Sequence, residues 1–205
     1  MLLVFEGIDG AGKTSLLRSC AVELGHHGRV LETKLAYEMV KFFQSLFDGP
    51  SGEEGAYQDV VPPDFRHSTY LIEAILQMKR EADHYAEYDF VLFDRWLQTH
   101  WVYLEPPRVH TEWYALLEQH VPKPELTVYV RVEPEVALQR LIRKEDWMVA
   151  KWGKVKLLAY LEELAARYDE VFTNYPRVMV VDGTEPKGAL CDTVIEELAH
   201  CSCIP

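Results

Sequence analysis

The chain has 205 residues, of which 48% are apolar, and this is enough for one sizeable domain with a core but not clearly enough for two. Its formal net charge of −12 argues against a nucleic-acid polymer as the main partner, because such proteins usually need a net basic face. A small polyanionic ligand needs only a local nest of positive charge and is not excluded. No apolar run approaches the roughly 18 residues that cross a bilayer, and residues 1–6 lack the features of a signal peptide, so we expect a cytoplasmic protein without membrane contact.

Short apolar runs alternate with amphipathic stretches along the chain, which is typical of βαβ units that build a parallel sheet. In chain order, the predicted strands are residues 2–6, 29–32, 89–94, 125–132 and 177–182. The predicted helices are residues 13–27, 35–47, 65–87, 97–104, 111–120, 134–143, 154–173 and 188–199. These elements predict an α/β fold, a three-layer α/β/α sandwich around a five-stranded parallel sheet.

A glycine-rich turn lies between the first predicted strand and the first predicted helix. Residues 7–14, GIDGAGKT, fit the pattern G-x-x-x-x-G-K-[ST] without a mismatch, and the strand and the helix stand where this P-loop motif requires them. The backbone amides of such a loop bind phosphate oxygens, its lysine reaches the β- and γ-phosphates, and its threonine hydroxyl ligates Mg²⁺. We therefore predict a fold of P-loop NTPase type that binds ATP and Mg²⁺ through Gly7, Asp9, Gly10, Ala11, Gly12, Lys13, Thr14 and Ser15.

A second acidic position stands at the end of the apolar run VLFD, where the last residue is Asp94. The carboxyl ends of parallel strands open onto the ligand crevice, and an acid there can hold Mg²⁺ through water. The alternative role for Asp94 is to cap the helix that follows. We favour the metal role, shared with Thr14, because Arg95 comes directly after the acid.

The loop and the acidic strand end also carry a family resemblance. Residues 5–15, FEGIDGAGKTS, look like the P-loop of thymidylate kinase, including the Glu-Gly pair before the motif. Asp94-Arg95, followed by Thr99 and Tyr103, is similar to the D-R-x-x-x-S-x-x-x-Y pattern of the same family, with Thr in place of Ser. The chain thus resembles thymidylate kinase and its relatives among the nucleoside monophosphate kinases over nearly its whole length. The resemblance implies that Arg95 binds the acceptor's phosphate, that Thr99 and Tyr103 contact the acceptor, and that the protein forms a homodimer, as its relatives often do.

Two segments of the C-terminal half are similar to the donor side of the family. Residues 132–140 look like the corner that leads to a lid, and residues 182–186 look like the loop that passes the adenine ring, which implies nucleotide contacts for Asp182 and Glu185. The P-loop has no Arg or Lys before Lys13, so the charge of the transition state must be countered from elsewhere. The resemblance implies that a lid at about residues 143–153 supplies this charge, and a solvated helix face is the alternative for any single basic residue. The candidates are Arg140, Arg143, Lys144, Lys151 and Lys154.

The departures from the family fall on the acceptor side. Residues 32–37, ETKLAY, stand where thymidylate kinases carry an R-E-P-G-G-like segment. The base-contacting Arg of the long helix has no counterpart, and counting back from Asp94 places Glu73 near its position. Glu32 could accept a proton from an acceptor hydroxyl, as in deoxynucleoside kinases, or it could pair with Lys34. We therefore add Glu32 and Glu73 to the substrate-binding candidates.

These observations predict one P-loop kinase domain over residues 1–205, with an acceptor-side flap at about residues 35–64 and the lid described above. Part of the flap, residues 48–64, is rich in Gly, Pro and acid, as functional loops often are. The predicted reaction is ATP- and Mg²⁺-dependent phosphoryl transfer to a nucleoside monophosphate, with dTMP or a related nucleotide as acceptor. The alternatives are a kinase of a nucleoside or another small hydroxyl acceptor, and a P-loop ATPase. The catalytic candidates are Lys13, Asp94, Arg95, Arg140 and Arg143.

Overall fold

A five-stranded sheet forms the centre of the computed structural model, which describes residues 1–48, 54–104, 111–173 and 175–200. The strands are β1 (Leu2–Glu6), β2 (Val30–Thr33), β3 (Phe90–Asp94), β4 (Leu126–Arg131) and β5 (Val178–Asp182). They lie in the order β2-β3-β1-β4-β5, and every neighbouring pair is parallel. The predicted α/β class and the five-stranded parallel sheet are confirmed.

Helices cover both faces of this sheet, because the connections between parallel strands contain helices that pack on the sheet. They are α1 (Lys13–Leu24), α2 (Tyr37–Phe47), α3 (Tyr57–Val60), α4 (Pro63–Arg80), α5 (Ala82–Tyr85), α6 (Leu97–Val102), α7 (Thr111–Glu118), α8 (Pro134–Arg143), α9 (Trp147–Phe172) and α10 (Lys187–His200). Of the helices in the described ranges, none is long and apolar enough to cross a bilayer.

The side chains of β1 show how the two layers of helices pack on the sheet. Leu3 and Phe5 belong to a core shared with α1, α8, α9 and α10, whereas Val4 belongs to a second core shared with α2, α4, α6 and α7. Successive residues of a strand point to opposite faces, so a strand that is covered on both sides must be apolar at nearly every position. This explains why the central strands read as continuous apolar runs rather than as alternating patterns.

The structure differs from the predicted elements where local polar contacts decide a helix end. The predicted helix 65–87 is divided into α4 and α5, because Glu81 leaves the helical region at φ −95° and ψ 6°. The helix predicted over residues 154–173 is the longer part of α9, and an additional segment that the sequence did not predict begins at Trp147, where Asp146 accepts a hydrogen bond from the amide of Met148 at 3.1 Å and caps the first turn. Within α9, Gly153 has φ 71° and ψ 162°, so the helix is broken there.

The flap contains more helix than the sequence predicts. Its loop portion includes α3 and ends where Pro63 starts α4, a position at which proline is well tolerated. Residues 49–53 of the flap lie outside the described residues. Of the loop portion of the flap, the structure describes Asp48 and residues 54–64.

The register of the sheet brings the two sequence motifs together. Phe5 of β1 pairs with Asp94 of β3, and Glu6 pairs with Tyr129 of β4. The residues that follow β1 and β3 therefore leave the sheet side by side at its carboxyl edge. A ligand crevice at this edge is the general expectation for an open parallel sheet.

Candidate active site

The P-loop lies in close contact with the rest of the sheet and with α8. A Cβ atom on Gly7 would lie 2.5 Å from the carbonyl oxygen of Val130, and one on Gly10 would lie 2.6 Å from that of Ala137. Both glycines also have positive φ angles, 141° and 82°, which L side chains rarely adopt. The loop can therefore take this course only with glycine at these two positions.

Four P-loop amides are directed away from any protein acceptor. In the described part of the chain, the amides of Gly10, Gly12, Lys13 and Thr14 donate to no protein group, whereas the next amide, that of Ser15, donates to the Gly12 carbonyl at 3.1 Å. Successive free amides at a helix N-terminus form a concave site for an anion. This arrangement agrees with the phosphate-binding role predicted for the loop.

Lys13 occupies the inside of the loop. Its side chain is almost fully buried, with 6% exposure, and its Nζ donates a hydrogen bond to the Ile8 carbonyl at 2.8 Å. Burial, together with the positive charge of Arg95, lowers the pKa of Lys13 to about 8 against the opposing effect of Asp9 and Asp94. The ammonium group is thus held next to the free amides by a single carbonyl, which a phosphate oxygen could replace.

Thr14 and Asp94 form the hard-oxygen pair that the sequence predicts for a metal. The Thr14 hydroxyl donates to Asp94 Oδ2 at 2.5 Å, and the first turn of α1 and the end of β3 hold the two groups. A hydroxyl and a carboxylate are ligands that suit Mg²⁺, which usually keeps several waters and takes one or two protein groups. The donor set therefore fits this ion.

Arg95 is held in a strained and well-defined position. Its φ of 81° lies in the left-handed region, which is uncommon for a non-glycine residue and often found at functional sites. Its Nη2 donates to Asp9 Oδ1 at 2.5 Å, and its Nη1 lies 3.3 Å from each of Gly7 O, Thr99 Oγ1 and Tyr168 OH. The guanidinium therefore faces the P-loop backbone from the β3 side.

The carboxylate of Asp9 lies on the Arg95 side of the site. Burial would raise the pKa of Asp9, but the positive charges of Arg95 and Lys13 outweigh it and lower the pKa. The Tyr103 hydroxyl donates to Asp9 Oδ2 at 2.7 Å, so both oxygens of Asp9 are occupied. Although the sequence placed Asp9 with the triphosphate contacts, its side chain is grouped with Arg95 and Tyr103.

A buried carboxylate that sequence reasoning missed positions this group. Glu6 is fully buried and accepts hydrogen bonds from the amides of Trp96 and Thr99 at 2.8 and 3.1 Å, from the Thr99 hydroxyl at 2.6 Å and from the Tyr168 hydroxyl at 2.9 Å. Burial raises the pKa of Glu6 despite these donors. The Thr99 hydroxyl, predicted to contact the acceptor, is therefore part of a buried network that fixes the start of α6 behind Arg95.

The predicted donor-side residues lie in different environments. Arg140 donates to the Ala11 and Gly183 carbonyls at 2.8 Å, so it links the P-loop to the loop after β5 rather than facing the free amides. The Asp182 carboxylate accepts from the amide and the hydroxyl of Thr184 at 2.9 and 2.7 Å. Arg143 and Glu185 are exposed. The structure thus brings Arg140 to the P-loop and leaves Arg143 apart from it.

A groove of about 450 Å³ extends from the metal pair towards β2, α2 and α4. Glu32 lines it as an exposed side chain, and Lys34 lies 4.7 Å from the centre of the Tyr37 ring. In the described ranges, Glu32 and Lys34 form no ion pair. Glu73 also lines the groove, but its carboxylate accepts from two amides in the first turn of α2, those of Glu38 at 2.8 Å and Met39 at 2.9 Å. Glu73 is therefore a helix cap at the edge of the acceptor side.

Two buried histidines flank Arg95 on the α4–α6 side. The ring centres of His67 and His100 are 5.7 Å apart, and each ring packs against Tyr70. Burial, together with the positive charge of Arg95, lowers the pKa of His100 to about 3, and burial also lowers the pKa of His67. Both rings are neutral at physiological pH, so neither histidine adds a positive charge to this part of the site.

Comparison with known proteins accounts for this combination of glycine-rich loop, hydroxyl–carboxylate pair and half-buried arginine. The family model for thymidylate kinase matches residues 63–194, which is more than half of the chain. This chain belongs to the thymidylate kinase family. The family comprises nucleotide kinases, so the predicted resemblance is confirmed.

Relatives in this thymidylate kinase family align over almost the whole chain. A probable thymidylate kinase of Sulfolobus acidocaldarius is 20% identical over 96% of this chain and 93% of its own length. The thymidylate kinase of Brachyspira hyodysenteriae is 22% identical, covering 100% of this chain and 96% of its own length. That of Ligilactobacillus salivarius is 24% identical over 96% of both chains. The similarity is therefore low in identity but continuous from the P-loop to the last helix.

Proposed function

We propose that this member of the thymidylate kinase family transfers the γ-phosphoryl group of ATP to a nucleoside monophosphate, with dTMP as the acceptor. The observation that carries the proposal is the position of Arg95 beside the P-loop. Because Phe5 pairs with Asp94, the unbonded amides of the P-loop lie between two groups. The Thr14–Asp94 pair, proposed to hold the metal, is on one side, and the Arg95 guanidinium is on the other. Donor and acceptor phosphates would thus be bound by neighbouring groups that the sheet holds in place.

On the donor side, the free amides of the P-loop and the ammonium of Lys13 would bind the β- and γ-phosphates. Thr14 and Asp94 would hold Mg²⁺, which neutralises charge between these phosphates when it is bound. Arg140 supports this site indirectly, because it anchors the Ala11 carbonyl and the Gly183 loop, past which the adenine would lie. Phosphoryl transfer needs little covalent chemistry from the protein, so positioning and charge neutralisation account for the catalytic effect.

On the acceptor side, Arg95 would bind the acceptor's phosphate, and Tyr103 and Asp9 would lie beside it. Glu6 and Thr99 would not contact the acceptor themselves. Their hydrogen bonds fix the backbone that carries Arg95. Residues 35–64 would form the acceptor-side flap and residues 143–153 the lid of one kinase domain. We place the protein in the cytoplasm, where ATP and nucleoside monophosphates are both present.

One feature favours a second candidate function. Glu32 is exposed in a groove that begins at Thr14 and Asp94, so a carboxylate is available near the metal pair for a hydroxyl acceptor. A nucleoside kinase would need such a base, whereas a monophosphate kinase would need the cation at Arg95. The half-buried guanidinium of Arg95, held beside the P-loop by Asp9 and the Gly7 carbonyl, favours the monophosphate.

A direct assay distinguishes these candidates. With Mg²⁺-ATP, we expect dTMP to produce ADP and dTDP in equal amounts, and we expect removal of divalent cations by EDTA to stop both. The acceptors are dTMP, dUMP, dCMP, dGMP and thymidine, with products separated by ion-exchange chromatography. Phosphorylation of thymidine rather than of any monophosphate would favour the Glu32 mechanism, and ADP release that is indifferent to all acceptors would contradict both.

We also propose that the protein is a homodimer through α2 and α4. Phe65, Ile72 and Leu76 are exposed on one face of α4, and Phe42 and Leu46 are exposed on the adjacent α2. Residues spaced by seven and eleven positions lie on one helix face, so these side chains form a continuous apolar surface. Such patches on a soluble protein commonly mark an interface, and the likeness of this chain to thymidylate kinases makes a second copy the partner that we propose.

Substitution of Leu76 by lysine is expected to convert the dimer into a monomer, because a charge would then be buried at the interface. Leu76 is 61% exposed in the single chain, so the monomer itself should remain folded. Sedimentation velocity should change from twice the chain mass of 23.7 kDa to the chain mass itself. Val155→Lys is the matched control, since Val155 is 87% exposed on α9, and it should leave the mass of the dimer unchanged. A wild-type protein that sediments as a monomer at micromolar concentration would contradict the interface.

A further inference from the structure

We infer that Lys151 is a positioning residue that fastens the acceptor-side flap to the lid. The sequence suggested that basic lid residues counter the charge on the triphosphate. Lys151 instead contacts the flap, at Gly55 and Asp59. The kinetic part of this inference rests on the proposed function, whereas its structural part does not.

Lys151 makes two polar contacts with a segment almost a hundred residues away. Its Nζ donates to the Gly55 carbonyl at 2.8 Å and lies 2.6 Å from Asp59 Oδ2. The Lys151 side chain is only 11% exposed, whereas its partner Asp59 is 64% exposed, so the lysine is largely covered and the carboxylate lies at the surface. A charge-assisted hydrogen bond in such a partly buried place is stronger than one at an open surface. The Lys151 ammonium therefore binds groups of the flap and does not face the triphosphate.

An apolar contact accompanies these polar ones. Gly55 has φ 76°, and a Cβ atom on it would lie 2.4 Å from Cζ3 of the Trp147 ring, so the flap backbone rests directly on the indole. The Asp48 carboxylate accepts from the amides of Gly55 and Tyr57 at 3.1 and 3.2 Å and fixes the shape of this turn. The flap thus presents a preformed surface to the lid.

The joined segments also contact the proposed acceptor site. From the lid, Trp152 packs on Tyr160 at 5.1 Å between ring centres, and Tyr160 packs on Tyr103 at 6.3 Å. Tyr103 in turn donates to Asp9, the partner of Arg95. A shift of the first turns of α9 would therefore change the surroundings of the group that we assign to the acceptor's phosphate.

The flap is likewise tied to the long helix on its other side. Arg66 of α4 donates to the Gln58 and Val61 carbonyls at 2.7 and 2.9 Å. At the opposite end, Gly153 breaks α9 directly after the turns that carry Lys151. Apart from its chain neighbours and the adjoining helix backbone, no atom of the described residues lies within 4 Å of the place where its Cβ would stand. The lid segment before Gly153 is therefore a separate helical piece, and the Lys151 contacts help to fix its position beside the flap.

Replacement of Lys151 by methionine should break the polar contact between flap and lid without removing any group that binds the substrates. We expect the KM for dTMP to rise about tenfold while kcat changes by less than about twofold, because Lys151 organises the acceptor side and does not touch the reacting phosphates. Lys151→Arg should recover most of the lost affinity, since it keeps the charge and the donors. Lys156→Met is the matched control, because Lys156 is an exposed cation on the same helix, 5.9 Å from the centre of the Trp152 ring, and it should leave the KM unchanged.

Two further measurements test the contact itself. Asp59→Asn and Lys151→Met should be non-additive in the double variant, because both remove the same ion pair. In ligand-free protein, hydrogen exchange of amides 54–61 should be faster in Lys151→Met than in wild type, and unchanged in Lys156→Met. This readout needs no acceptor, so it judges the contact even if the proposed reaction is wrong. Unchanged exchange in Lys151→Met, or an equal rise of KM in Lys156→Met, would overturn the inference.

Discussion

Substitution of Lys13 by alanine is expected to lower kcat by about 10²- to 10³-fold and to leave the fold intact. Fixed cations and donors that neutralise developing charge on a transferring group contribute on the order of 10²- to 10³-fold each, and Lys13 is the cation inside the phosphate cradle. Among the described residues, its side chain bonds to the Ile8 carbonyl alone, and a ligand phosphate would replace this bond. Steady-state rates of ADP formation with saturating dTMP measure the loss, and thermal unfolding checks the fold.

The control for this variant is Lys123→Ala, which removes an exposed lysine and should change neither kcat nor the melting temperature by a measurable amount. The pH dependence gives a second check. The pKa of Lys13 is lowered from about 10.5 to about 8, so the unfolded chain binds a proton that the folded chain releases between these pH values. Stability should therefore rise from pH 8 to 10.5 in the wild type, and this rise should be smaller in Lys13→Ala. A variant with wild-type kcat would show that the phosphate site is wrongly assigned.

Substitution of Arg95 by alanine is expected to lower kcat/KM for dTMP by about 10²- to 10³-fold and to destabilise the protein by on the order of 2 kcal/mol. The first effect follows from the loss of the cation that we assign to the acceptor's phosphate. The second follows because the Asp9 carboxylate would lose its partner in a largely desolvated place, although its 29% side-chain exposure keeps the cost below that of a fully buried pair.

A double variant separates these two effects. Asp9→Asn combined with Arg95→Ala removes the unpaired charge, so it should recover most of the lost stability but none of the activity. Arg29→Ala, which removes an exposed arginine, is the control and should behave as wild type in both measurements. If the KM for dTMP were unchanged in Arg95→Ala, the acceptor's phosphate would have to bind elsewhere.

The parts of the site that the sequence predicts are those in which one local segment carries the whole chemistry. The P-loop needs glycine where the backbone approaches another chain segment, and Gly7 and Gly10 meet carbonyls of β4 and α8 as that requirement demands. Asp94 ends β3, and Thr14 lies in the first turn of the helix that follows β1. Parallel pairing of β1 with β3 is enough to bring these two residues together, so the sequence can predict their proximity. The fold class follows from the same alternation of apolar runs and amphipathic stretches.

The parts that the sequence did not predict depend on partners from distant segments. Nothing near Glu6 indicates that Tyr168, more than 160 positions later, will donate to it, although an acid that ends an apolar strand is a signal worth testing. Glu73 and Arg140 were assigned by motif position, yet their bonds are decided by which backbone groups happen to be free beside them. Polar side chains of this kind satisfy whatever donors or acceptors the packed structure leaves, so their roles emerge only with the tertiary structure.

The Glu6 network has a consequence for how such sequences can diverge. Thr99 and Tyr168 supply hydroxyl donors to a carboxylate without solvent, in addition to two backbone amides, so the loss of either hydroxyl leaves part of a buried polar group without a partner. A change that keeps the hydroxyl, such as serine at position 99, is therefore tolerable alone, whereas a change that removes it carries a penalty unless Glu6 changes as well. The residues of this network are accordingly more constrained in evolution than the exposed residues of the acceptor groove, which can change one at a time.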